Sequence, residues 1–235
     1  MIHHEVEGDG FPLFLHTGGG GDLRMWRLAG YVDGLDDYRV VLVDHRGRGR
    51  TPPADSYRPA DFAADVIEVA DSLGLDRFAF WGYSMGARIG YELAATHPGR
   101  VAALVGQGGV DGPDEDPNDW LESAATIRAG GLRAYLGDDV EPAWLMEHLC
   151  ETDEEVFARS CEDFVDFDPW PLFPHIEAPT LIVAGEHESE HVAAAAAALP
   201  RGEYELLPGL GHIDSWARSD LVLPRVRRFL AEALA

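Results

Sequence analysis

Residues 78–93 read FAFWGYSMGARIGYEL. An apolar run leads to Gly82, Ser84 stands between Gly82 and Gly86, and a segment with helical spacing follows. The pattern describes a strand that turns sharply into a helix. The residue at the corner is forced into a strained backbone conformation. Bulky neighbours two positions to either side would clash, and Gly82 and Gly86 have no Cβ to do so. Such a corner exposes the Ser84 hydroxyl above the carboxyl ends of a sheet, beside the free N–H groups of a helix start. G-x-S-x-G by itself is a weak signal, so the rest of the chain has to supply its context.

That context is an alternation of strands and helices. FPLFLHTGGGG (11–21) reads as a short strand running into a glycine loop, and YRVVLVDHRGRGRT (38–51) as a strand ending in a charged turn. RPADFAADVIEVADSLGL (58–75) carries Phe62, Val66, Val69, Ala70 and Leu73 at helical spacing, with Gly74 suited to its end. Strands are expected at 77–84, 101–109, 178–188 and 203–207, and helices at 86–100, 191–199 and 220–235. Pro224 is tolerable only near the start of the last helix. Unbroken apolar strands alternating with helices predict an α/β fold, a mostly parallel, doubly wound sheet with helices on both faces. Residues 111–172 interrupt the alternation with helical patterns and no strand. They are expected to form an inserted helical cap, with 1–110 and 173–235 as the core.

Charge narrows the partners. The 235 residues hold 42 acidic and 18 basic side chains, a net of −24, and every basic residue is Arg. Such a field repels nucleic acid and anionic membranes, which leaves a small molecule as the expected partner. The acidity fits a surface suited to high salt, and it equally fits codon bias in a GC-rich genome. With no basic-then-apolar leader and no apolar stretch long enough to span a bilayer, a soluble cytoplasmic protein is expected. Two cysteines, Cys150 and Cys161, make neither a disulfide framework nor a four-ligand metal site, and no cofactor is expected. HRGRGR (45–50) lacks the spacing and the Lys of a phosphate loop and reads as a turn braced by Arg.

A nucleophilic serine needs a base, and the base needs a carboxylate to hold its tautomer. His212 in LPGLGHID follows the strand at 203–207. Glu186, Glu188 and Glu190 follow the strand in TLIVAGEHESE. With these segments in place the chain resembles the α/β-hydrolase superfamily over nearly its whole length. GYSMG at 82–86 matches that family's nucleophile elbow. HTGGGG at 16–21 is similar to its His-Gly oxyanion loop, with Thr17 where Gly is usual. DHRGRGRT at 44–51 looks like its Asp-x-Arg-Gly-x-Gly-x-Ser turn. PTLIVAGEHE resembles the strand that carries the acid, and GLGH the histidine loop. The order Ser, acid, His is the family's order.

The resemblance implies Ser84 as nucleophile, His212 as base and Glu188 as the acid, although Asp is usual at that position. Asp111, after the strand at 101–109, is a second candidate for the acid. The oxyanion would lie against the backbone N–H groups of Met85 and Gly18. Tyr83 flanks the nucleophile as a candidate substrate contact, and the aromatics of the insertion add Trp120, Trp144 and Trp170. The insertion carries 18 Asp or Glu and three Arg, which disfavours anionic substrates. The expected activity is hydrolysis of a small neutral carboxylic ester or lactone. The alternatives are cofactor-free haloperoxidation or a lyase reaction with the same triad, or a non-catalytic ligand receptor on this fold.

Overall fold

Parallel pairing requires crossover connections, and the helices expected between the apolar runs provide them. The computed structural model describes residues 1–110, 112, 116, 118–137, 140–188 and 190–235. Seven strands share one sheet: β1 (His4–Glu7), β2 (Phe11–His16), β3 (Tyr38–Val43), β4 (Phe78–Tyr83), β5 (Val101–Gln107), β6 (Thr180–Gly185) and β7 (Gly202–Leu207). Their order is β1-β3-β2-β4-β5-β6-β7. All neighbours are parallel except β1, which runs antiparallel to β3.

The helices are α1 (Arg24–Leu28), α2 (Pro59–Ser72), α3 (Met85–Thr96), α4 (Asn118–Leu136), α5 (Ala143–Leu149), α6 (Glu154–Asp163), α7 (Val192–Ala198), α8 (His212–Trp216) and α9 (Ser219–Ala233). Successive strand residues face opposite sides of the sheet. Phe14, Phe80, Leu104 and Ile182 bury one face with Phe62, Val66 and Leu93 of α2 and α3. Leu15, Trp81, Val105 and Val183 bury the other with Trp26, Trp216, Val226 and Phe229 of α1, α8 and α9. Strands β4, β5 and β6 are therefore buried along their whole length.

Strand order reverses beside β2. From β2 the chain moves to β3 on one side, then returns to place β4 on the other. In open α/β sheets ligands bind outside the carboxyl ends at such a point. The register pairs His16 with Gly82 and Tyr83 with Gln107, so the loops leaving β2 and β4 lie side by side.

Between β5 and β6 come α4, α5 and α6, with no strand among the described residues. Ala124, Ile127 and Leu132 of α4 pack on Phe157, Ala158 and Cys161 of α6. Leu145 and Leu149 of α5 join one core cluster, and Val156 and Phe164 join the other. The insertion thus seats on both halves of the core. Among the described residues no helix is long and apolar enough to cross a membrane.

Pro224 is the sixth residue of α9, which starts one residue before the expected 220. It forfeits the bond to the Asp220 carbonyl. Burial of Val222, Val226, Phe229 and Leu230 holds the helix despite that loss.

Candidate active site

The turn from β4 into α3 has the strain its glycines forecast. Ser84 has φ 55° and ψ −118°, and it is the non-glycine residue with positive φ among those described. A Cβ on Gly82 would collide with the Gly86 carbonyl, and one on Gly86 with the carbonyls of His16 and Thr17. Gly82 lets the elbow close on the start of α3, and Gly86 lets it pack against the end of β2. A non-glycine residue in such a conformation costs on the order of 1–3 kcal/mol, which the surrounding sheet has to offset.

His212 is the first residue of α8, on the loop leaving β7. Its Nε2 lies 2.9 Å from Ser84 Oγ, and its Nδ1 lies 2.7 Å from Glu188 Oε1. The carboxylate makes Nδ1 the protonated nitrogen and leaves the Nε2 lone pair for the serine O–H. Glu188 follows β6 and its side chain is only 8% exposed. Two backbone donors hold it: the Gly109 N–H to Oε1 at 3.2 Å and the Gly185 N–H to Oε2 at 3.2 Å. The longer glutamate side chain therefore folds back on its own strand end. Asp111, the alternative acid, lies outside the described residues.

Met85 opens α3, so its N–H belongs to the first helical turn, where intrahelical acceptors are lacking. Gly18 lies directly against the elbow: a Cβ there would stand 3.2 Å from Ser84 Cβ. The glycine loop is held from behind by the 44–51 turn. His45 Nε2 donates to the Gly18 carbonyl at 3.1 Å, and Arg48 Nε donates to the Gly19 carbonyl at 2.7 Å. From the insertion, Thr152 Oγ1 accepts the Gly21 N–H at 2.8 Å.

Beneath this loop His16 and His45 stack with ring centroids 4.9 Å apart. Burial lowers the His16 pKa to about 4 and that of His45 well below its ordinary value, so both are neutral near pH 7. Burial also pulls Arg48 down to about 10, which leaves it charged. Arg46 pairs with Asp65 through two bonds of 2.8 Å. The turn is thus braced by Arg, as its sequence suggested.

The family model described as alpha/beta hydrolase fold matches residues 12–144. The chain belongs to this family. It is 32% identical over 168 residues to a RutD protein of Variovorax paradoxus, assigned as a carbamate hydrolase. That match covers 66% of this chain and 62% of the relative, so the chain spans less than two thirds of it. Among solved structures, the enol-lactonase of Burkholderia xenovorans LB400 is similar at TM-score 0.84 and 28% identity, covering 98% of this chain and 96% of that one. A thermophilic esterase of Thermogutta terrifontis is similar at TM-score 0.87 and 22% identity, with 99% and 93% covered. At that identity the likeness is one of fold.

Two cavities flank Ser84 in this α/β hydrolase. The smaller, about 100 Å3, is mainly apolar: Tyr83, Leu132, Leu145, Leu149, Phe157 and Trp216 line it with Ser84 and His212. The larger, about 310 Å3, adds Arg88, Asp119, Trp120 and Ser123. Tyr83 and Trp120 thus reach the site. Trp144 and Trp170 are not among the residues that line these two cavities. Trp144 packs against the core cluster of α1 and α8, and Trp170 packs edge-on to Phe173 at 5.4 Å. A further cavity of about 410 Å3, lined by Asp22, Arg24, Arg50, His148 and Glu151 among others, does not include Ser84.

Sequence reasoning missed Trp216 and Leu149 as site residues. Trp216 stands four residues after His212, one helical turn on. The signal was present but required reading GHIDSW as a helix rather than a loop.

Proposed function

We propose that this α/β hydrolase is a serine hydrolase that cleaves a small neutral carboxylic ester or lactone through an acyl-enzyme. The observation that carries the reading is the line Ser84 Oγ–His212–Glu188, with contacts of 2.9 and 2.7 Å. Ser84 Oγ attacks the carbonyl carbon as its proton passes to His212 Nε2. Glu188 holds the imidazole and balances the charge it gains. The tetrahedral oxyanion lies against the N–H groups of Met85 and Gly18, each such donor being worth roughly 2.7–4 kcal/mol. The imidazolium then protonates the leaving alkoxide. Water, activated by the same histidine, attacks the acyl carbon and releases the acid.

Residues 111–172 act as the cap. Leu132, Tyr135, Leu145, Leu149 and Phe157 come from it into the small cavity, which suits a short acyl group. Apolar burial there contributes roughly 25 cal/mol per Å2. Arg88, Asp119 and Glu188 share the larger cavity, so fixed charge there does not favour an anion. The enol-lactonase likeness supports a lactone within this class. The RutD relatives favour a second reading, a carbamate attacked by the same serine.

One assay separates these. Initial rates are compared for p-nitrophenyl acetate, butyrate and octanoate, for δ-valerolactone by pH-stat, and for p-nitrophenyl carbamate. Faster turnover of the short esters or the lactone than of octanoate and carbamate is expected. A dominant carbamate rate would replace the ester reading, and no turnover of any would overturn hydrolysis.

A further inference from the structure

We propose that Tyr83 is a positioning residue for His212: its ring, backed by Trp216, fixes the plane of the imidazole and favours its protonated form. The proposal rests on the serine hydrolase reading. Tyr83 and His212 stack with ring centroids 5.0 Å apart and planes at 19°. Trp216 also stacks on Tyr83, at 4.2 Å and 27°. Tyr31 continues the column at 4.8 Å from Trp216, and Trp26 meets Trp216 edge-on at 4.7 Å. Tyr83, Trp216, Tyr31 and Trp26 are all buried, so the column below the imidazole has no room to shift.

The same tyrosines tie down the helix that carries the histidine. α8 is five residues long and too short to hold itself. The Tyr83 hydroxyl donates to the carbonyl of His212, its first residue, at 3.3 Å. The Tyr31 hydroxyl donates to the carbonyl of Trp216, its last residue, at 2.9 Å. Tyr31 is held in turn by Gln107 Nε2 at 2.9 Å, and Gln107 Oε1 accepts from Trp81 Nε1 at 3.2 Å. The chain of contacts therefore runs from the sheet to the imidazole.

The chemistry needs what this stack supplies. His212 becomes a cation as Ser84 gives up its proton, and an aromatic face attracts a cation laid over it. Glu188 acts on the edge of the imidazole and Tyr83 on one face. Among the described residues the other charged groups near His212 are Asp214 on α8, whose carboxylate accepts the Gly211 N–H at 3.3 Å, and Arg88 and Asp119 on the wall of the larger cavity. All of these remain when Tyr83 is replaced. Burial pushes the Tyr83 phenol well above its ordinary pKa, so the ring stays neutral over the working range.

The test compares Tyr83→Phe and Tyr83→Leu with wild type. Tyr83→Leu should move the acidic limb of kcat/KM down by about 0.4–0.7 pH unit, with kcat about tenfold lower and KM within about threefold. Tyr83→Phe keeps the ring and should keep the limb. The His212 Cε1–H resonance, titrated by NMR, reads the same shift without substrate, so the proposal is tested even if no substrate is turned over. If Tyr83→Leu does not fold, Tyr83→Met replaces it. An unmoved titration in the Leu or Met variant, or an equal shift in Tyr83→Phe, overturns the proposal. Failure of the hydrolase reading shows separately, as absence of both turnover and serine labelling in wild type.

Discussion

Lowering the pH from about 7.5 to about 5 should destabilise this protein through His16, and replacing His16 should remove that part of the loss. The ring lies at the end of β2, 1% exposed, between His45 at 4.9 Å and Phe80 at 5.9 Å. Its Nδ1 donates to the Thr17 carbonyl at 3.2 Å, a weak compensation for burying a cation. Burial lowers its pKa from 6.5 to about 4. Since the folded value lies below the unfolded one, this contribution is fully present above about pH 6.5. It is lost progressively as the pH falls towards 4. Linkage gives a loss of about 2 kcal/mol between pH 7.5 and 5. For a chain of this size that is about 4–8 °C in Tm. His45 shifts in the same direction and adds to the loss. Proton uptake by surface carboxylates relieves repulsion and works against it. The decisive readout is therefore the difference between wild type and His16→Asn, which keeps a donor for Thr17 but cannot titrate. Chemical denaturation at several pH values should show the variant losing about 2 kcal/mol less over this interval. Equal losses in the two proteins would refute the buried neutral imidazole.

Two further outcomes follow from the charges. Glu188→Gln should lower kcat by on the order of 10^3–10^4-fold with little change in KM, because the imidazole loses the carboxylate that fixes its tautomer. A loss under about tenfold in steady-state kinetics would hand the acid's role to Asp111. If the net charge of −24 is an adaptation to salt, Tm should rise from about 0.05 M to about 2 M KCl as self-repulsion is screened. A flat or falling melting curve series would favour codon bias.

The elbow was legible because its constraint is local. Gly82 and Gly86 are dictated by collisions within a few residues of Ser84, so the pentapeptide and its flanks sufficed. Strands β4, β5 and β6 were legible because burial on both faces demands unbroken apolar runs. β1, HEVE, was not: it is a four-residue edge strand with two exposed positions, and its polar side chains give no pattern to read. α1 and α8, at five residues each, are too short for a helical period. The 44–51 turn read correctly as Arg-braced through Arg46. Its second role, donors from His45 and Arg48 to the carbonyls of Gly18 and Gly19, depends on the strand order placing β3 beside β2. Which cap aromatics face Ser84 was likewise a packing outcome: Trp120 reaches the larger cavity, while Trp144 and Trp170 are used by the core. Spacing along the chain does not distinguish these cases.

The most direct test of the central claim is covalent. Wild type is treated with a fluorophosphonate, and the adduct is located by intact mass and peptide mapping. We predict one adduct per chain, on the peptide carrying Ser84, with loss of ester turnover in step with labelling. Ser84→Ala, folded by circular dichroism, should take no adduct and retain under about 0.1% of the wild-type rate, as expected when the covalent step is removed. An adduct on another serine, or more than a few per cent of activity in Ser84→Ala, would contradict the account.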